Sequence, residues 1–140
     1  MKFLVLSDIH GHLRHLSDIE SVLGECEGII LAGDITDFGG SEQADSVLAA
    51  LSEYGKPIVA VPGNCDPSAV IERLQRQNIS VHGAHRRLGG LCFVGAGGAT
   101  SGTGGDDILR QLLEKGMAGV DSADGLVLVG IWTRGVYLAR

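Results

Sequence analysis

Aromatic side chains are scarce: one Trp, two Tyr and three Phe make up 4% of the 140 residues. A core built from this chain must come from Leu, Val, Ile and Ala. The 44% hydrophobic content supplies them and argues against a disordered chain. Cysteine is scarce too. Cys26, Cys65 and Cys92 are odd in number and show no C-x-x-C spacing, so neither a disulfide framework nor a zinc knuckle is expected. Unpaired thiols fit a reducing compartment, which predicts a cytoplasmic location. Basic charge is the minority, 11 Lys and Arg against 17 Asp and Glu, for a net charge of -6. Nucleic-acid binding needs a basic face and is not expected, whether sequence-independent or sequence-specific. A metal enzyme acting on phosphates is not excluded, because bound cations reverse the local sign. No apolar run approaches the ~20 residues of a membrane span, and the N-terminal run breaks at Ser7-Asp8, too early for a signal peptide. No membrane partner is expected.

The length suits a single domain, 1–140, with one core. Phe3 to Leu6 reads as a buried first strand. Leu13, Leu16, Ile19, Val22 and Leu23 predict a helix of about three turns, ended by Gly24 or Gly28. Gly28 to Ala32 is apolar throughout, as a strand covered on both faces should be. Ala44, Val47, Leu48, Leu51 and Tyr54 form the stripe of a second helix with Ser41 as N-cap. Ile58 to Val61 is a third strand. Asp66 before Pro67 reads as the N-cap of a helix that buries Val70, Ile71 and Leu74. Residues 79–81 predict a short fourth strand. Residues 85–88 and 91–94 predict a hairpin around Gly89-Gly90. A glycine-rich connector, 95–105, precedes a helix capped by Asp106 and carrying Ile108, Leu109, Leu112 and Leu113. Leu126 to Val129 is a final strand. Strands alternating with helices predict an α/β layered sandwich with a mainly parallel mixed sheet flanked by helices.

Chemistry concentrates at three strand ends. The first strand runs into Asp8-Ile9-His10, the second into Gly33-Asp34, the third into Gly63-Asn64-Cys65-Asp66. In open α/β sheets ligands bind at the carboxyl ends of the strands. On an extended backbone residues i and i+2 point to the same side, which would aim Asp8 and His10 at one ion. Adjacent parallel strands would gather Asp8, His10, Asp34 and Asn64 into one cluster. Carboxylates together with imidazole suit Zn, Mn, Fe or Ni better than Ca. The glycines before Asp34 and Asn64 allow a sharp turn and a close approach. His12 and His15 read as surface residues, His85 as solvated, and Asp37 and Asp45 as surface charges. His82 stands at the next strand end.

The ordered set D-x-H, G-D and G-N-x-D resembles the calcineurin-like metallophosphoesterases, over roughly residues 1–130. Val81-His82-Gly83 and Phe93 to Gly98 resemble a prokaryotic, phosphodiesterase-like branch of that superfamily. The resemblance implies two divalent metals. Asp8 and His10 bind the first, Asp34 bridges both and Asn64 binds the second. A metal-bound hydroxide then attacks the phosphorus of a small phosphodiester or phosphomonoester substrate. Asn64, Cys65 and Asp66 are the implied catalytic residues.

Two departures from the pattern bear on activity. Cys65 stands where many members have histidine after Gly-Asn, and a thiol is the poorer proton donor to an alkoxide. The family also continues into three further histidines, and none lies beyond His85 in this chain. The segment 130–140 matches nothing expected of the family, which points to a frameshift or truncation. A weak second metal site and impaired turnover are therefore expected. An exposed sheet edge would favour a homo-oligomer. The alternative function is an inactive metallophosphoesterase-fold binding or scaffold domain.

Overall fold

The computed structural model describes residues 1–98 and 105–131. Part of the glycine-rich connector, 99–104, and most of the atypical tail, 132–140, lie outside the described residues. In chain order the elements are β1 (Phe3–Leu6), a 3₁₀ turn (Leu16–Ile19), α1 (Glu20–Glu25), β2 (Gly28–Ala32), α2 (Ser41–Ser52) and β3 (Ile58–Val61). There follow α3 (Ser68–Arg76), β4 (His85–Leu88), β5 (Leu91–Ala96), α4 (Gly105–Met117) and β6 (Gly125–Gly130). Among the described residues no helix is long and apolar enough to cross a membrane.

The strands form two sheets. One is wholly parallel, in the order β1-β2-β3. In the other, β5 pairs antiparallel with β4 and parallel with β6. Alternation along the strands divides the apolar residues between two cores rather than the single one expected. Ile29, Leu31, Ile58 and Ala60 face outward and pack with Leu23, Val47, Leu51, Val70 and Leu74 of the helices. Ile30, Val59 and Val61 point the other way, against Phe93 and Val129 of the second sheet. Phe3 meets Phe93 there edge-on, ring centroids 5.0 Å apart. With α4 packed on β5, the layers run helices, sheet, sheet, helix. This is the expected α/β layered sandwich.

Several local expectations are corrected. Leu13, Leu16, Ile19 and Val22 recur every three residues, the 3₁₀ repeat, so the first helix is split into a 3₁₀ turn and a short α-helix. Gly24 lies inside α1 and Gly28 opens β2; the helix closes at Cys26, whose N–H donates to the Val22 carbonyl. The first α2 bond runs from Ala44 N–H to the Gly40 carbonyl, which makes Gly40 the cap and Ser41 the first helical residue. Tyr54 lies beyond the end of α2, partly buried. Asp106 lies within the first turn of α4. Ile108 is exposed, and Leu109 is the buried leucine of that helix. The predicted strand 79–81 is shared between the sheets. Val81 N–H donates to Ala60 of β3, while the Val81 carbonyl accepts from Gly95 of β5. Only isolated bridges, Ala60 with Ser80 and His82 with Gly95, result.

Candidate metal centre

Parallel pairing of β1, β2 and β3 brings their carboxyl ends to one edge. Beyond the strands the first two loops remain bonded to each other. Asp8 N–H donates to the Gly33 carbonyl at 3.3 Å, His10 N–H to Asp34 at 2.9 Å, and Gly11 N–H to Ile35 at 2.9 Å. Asp8 (φ 56°), His10 (φ 48°) and Asp34 (φ 50°) all sit in the left-handed region. Asp and His tolerate that region better than most residues, and such backbone persists where its surroundings hold it in place. A left-handed turn, not the extended segment expected, therefore brings Asp8 and His10 together. Gly33, at φ 79°, makes the turn into Asp34.

One ligand atom from each of Asp8, His10 and Asp34 lies within 4.8 Å of the others. His10 Nε2 is 3.7 Å from Asp8 Oδ1. His10 Nδ1 is buried without a hydrogen-bond partner, and Asp37 Oδ1 lies 3.9 Å from it. Asp34 is only 5% exposed. Two carboxylates this close, one of them buried, beside the His10 imidazole whose Nε2 faces Asp8, fit a divalent cation.

The third strand end braces the cluster. Cys65 N–H donates to Asp34 Oδ1 at 2.9 Å. A Cβ at Gly63 would collide with the Asp34 carboxylate and backbone nitrogen, so glycine is needed for this approach. Asn64 is exposed beside the cluster, its amide donating to Cys65 Sγ at 3.5 Å. The Cys65 carbonyl accepts from Phe38 N–H at 3.0 Å. Burial, then the charge of Asp34, pushes the Cys65 thiol above its ordinary pKa.

Asp66 is not the cap of α3; Pro67 holds that position. The Asp66 carboxylate is taken instead by Ile35 N–H at 3.1 Å, Thr36 N–H at 2.8 Å, the Thr36 hydroxyl at 2.9 Å and Gly63 N–H at 2.8 Å. It ties the loop after β2 to the loop after β3.

The remaining candidates are dispersed. His12 is exposed, and His15 pairs with Asp18 on the surface. His85 Nδ1 pairs with the Gly116 carbonyl at 3.0 Å. His82 lines a separate cavity. Asp45 joins α2 to α3 through Arg73 at 2.9 Å. Asp37 is exposed, as a surface charge should be, and also lies beside His10. Its position three residues after Asp34, in the same loop, was the available signal. Gln43, which sequence reasoning missed, accepts the Asp37 N–H at 2.9 Å.

A family profile described as calcineurin-like phosphoesterase matches residues 1–126. An uncharacterized protein of Methanocaldococcus jannaschii is 35% identical over 103 residues, covering 71% of this chain and 44% of that protein. The chain thus spans less than half the length of that relative.

Proposed function

The chain belongs to the calcineurin-like phosphoesterase family, and from that premise we propose that it hydrolyses a small phosphodiester or phosphomonoester with divalent metal at the ends of β1, β2 and β3. The observation that carries this reading is the convergence of Asp8, His10 and Asp34. In this reading Asp8 and His10 would hold a first ion, Asp34 would contribute to both and Asn64 to a second. Divalent metal bound there would supply an activated water and neutralise charge on the phosphate oxygens.

The chain's own groups have separate tasks. Asn64 presents its exposed amide to a phosphate oxygen. Cys65 keeps its proton at Sγ at neutral pH, since burial and Asp34 both oppose the thiolate. A thiol is a weak acid toward an alkoxide, which favours substrates with good leaving groups. Asp66 acts by position, through the loops it ties together. Free thiols at Cys26, Cys65 and Cys92 support a cytoplasmic location.

The test is hydrolysis of a chromogenic phosphodiester with Mn or Ni added, beside Asp34→Asn. Metal-dependent turnover that disappears in Asp34→Asn is expected. Folded protein that binds Mn without turning over phosphodiesters or phosphomonoesters would overturn the catalytic reading.

A further inference from the structure

A cavity of about 570 Å³ opens beside the segment that crosses from the first sheet to the second. None of the candidate metal residues lines it. Asn78, Ser80, His82, His85, Arg86 and Lys115 do, and its lining includes no Asp or Glu. That is a sharp local departure in a chain of net charge -6.

The cations here are not neutralised by the fold. Arg86 Nη1 donates to the carbonyls of Ile58 and Asn78, both at 2.9 Å, which fixes the guanidinium but leaves Nη2 and Nε as donors. Among the described residues neither Arg86 nor Lys115 forms an ion pair. Neutral donors stand beside them. Gly97 N–H donates to His82 Nδ1 at 3.1 Å, which puts the ring proton of neutral His82 on Nε2. Ser80 Oγ accepts from His82 N–H at 3.2 Å and keeps its own proton to give. Burial, then Lys115, holds the His82 pKa below its ordinary value.

We propose that this cleft binds the phosphoryl group of a small phosphorylated molecule, with Arg86 and Lys115 supplying charge and Ser80 and His82 supplying neutral donors. An arginine held by backbone carbonyls offers a fork that matches phosphate oxygens without further ordering. The volume exceeds that of inorganic phosphate and falls in the range of small-molecule sites. The inference stands apart from the metal reading, because it uses none of those residues.

The test is titration of metal-free protein with inorganic phosphate, followed by NMR at the imidazoles of His82 and His85 and the amides of Gly83 and Ala84. Removing metal leaves phosphate no cation to bind at the strand ends. Saturable shifts at these positions, absent with chloride of equal ionic strength, are expected. Arg86 variants disturb a structural contact, so Lys115→Gln, on an exposed side chain, is the working variant. It should weaken binding about tenfold with the rest of the spectrum unchanged. Shifts that chloride reproduces, the absence of saturation, or an unchanged affinity in Lys115→Gln would each overturn the proposal.

Discussion

The carboxylate of Asp66 accepts both the backbone N–H of Thr36, at 2.8 Å, and its hydroxyl, at 2.9 Å, across thirty positions of sequence. Ile35 and Gly63 N–H groups share the same carboxylate, which is only 7% exposed. Replacing it strands several buried donors, each worth about 1–3 kcal/mol when unpaired. Asp66→Ala should therefore lower unfolding stability on the order of 3 kcal/mol, read from the urea midpoint at constant slope. In a double-mutant cycle with Thr36→Val, the coupling should be well above zero; strict additivity would show that the contact contributes nothing.

Gly63 presses its backbone against Asp34, and a methyl group there has no room. Gly63→Ala should cost about 1–3 kcal/mol through overpacking and displace the Asp34 carboxylate. Weaker Mn binding by calorimetry is expected in the same variant. Gly24→Ala, at a position where an added Cβ meets nothing within 4 Å, is the control and should leave Mn binding unchanged.

The sheet strands were legible because each is a short apolar run closed by a turn signal: Phe3–Leu6, Gly28–Ala32 and Ile58–Val61 fall at their expected bounds. The strand-end location of Asp8, His10 and Asp34 followed from the same pattern. What was not legible depends on contacts remote in sequence. Nothing local to Asp66 tells whether its carboxylate caps the next helix or reaches back to Ile35 and Thr36. Nor does residue identity show that Asp8 and His10 turn left-handed, since that geometry is fixed by hydrogen bonds to Gly33 and Asp34. Residues 79–81 are apolar enough for a strand, and only the placement of both β3 and β5 divides their bonds between two sheets.

Two buried thiols make stability depend on alkaline pH. Burial raises both Cys65 and Cys92 above the ordinary thiol value of 9.0, with the charge of Asp34 adding at Cys65. The folded chain then holds protons that the unfolded chain releases. Stability is full below about pH 9 and falls as pH rises past the unfolded thiol pKa. Urea unfolding at pH 8 and pH 10 should show a smaller loss in a Cys65→Ala/Cys92→Ala variant than in the parent. Equal losses would place the alkaline sensitivity in other groups. Native protein should also resist thiol reagents at pH 8, since Cys26 too is buried.

Asp37 Oδ1 stands 3.9 Å from the buried, unpartnered Nδ1 of His10, just beyond hydrogen-bonding distance. Gln43 holds the Asp37 backbone in place. A metal-ligating histidine commonly gives its second ring proton to a carboxylate, and loss of such a partner typically lowers metal affinity 10–100-fold. If His10 is a ligand, Asp37→Asn should weaken Mn binding about tenfold while the fold stays intact. Removing one negative charge would itself weaken cation binding slightly, so the informative comparison is Asp45→Asn. That residue carries the same charge but pairs with Arg73 between α2 and α3. A loss confined to Asp37→Asn assigns the carboxylate to His10; equal losses in both variants would reduce its effect to general electrostatics.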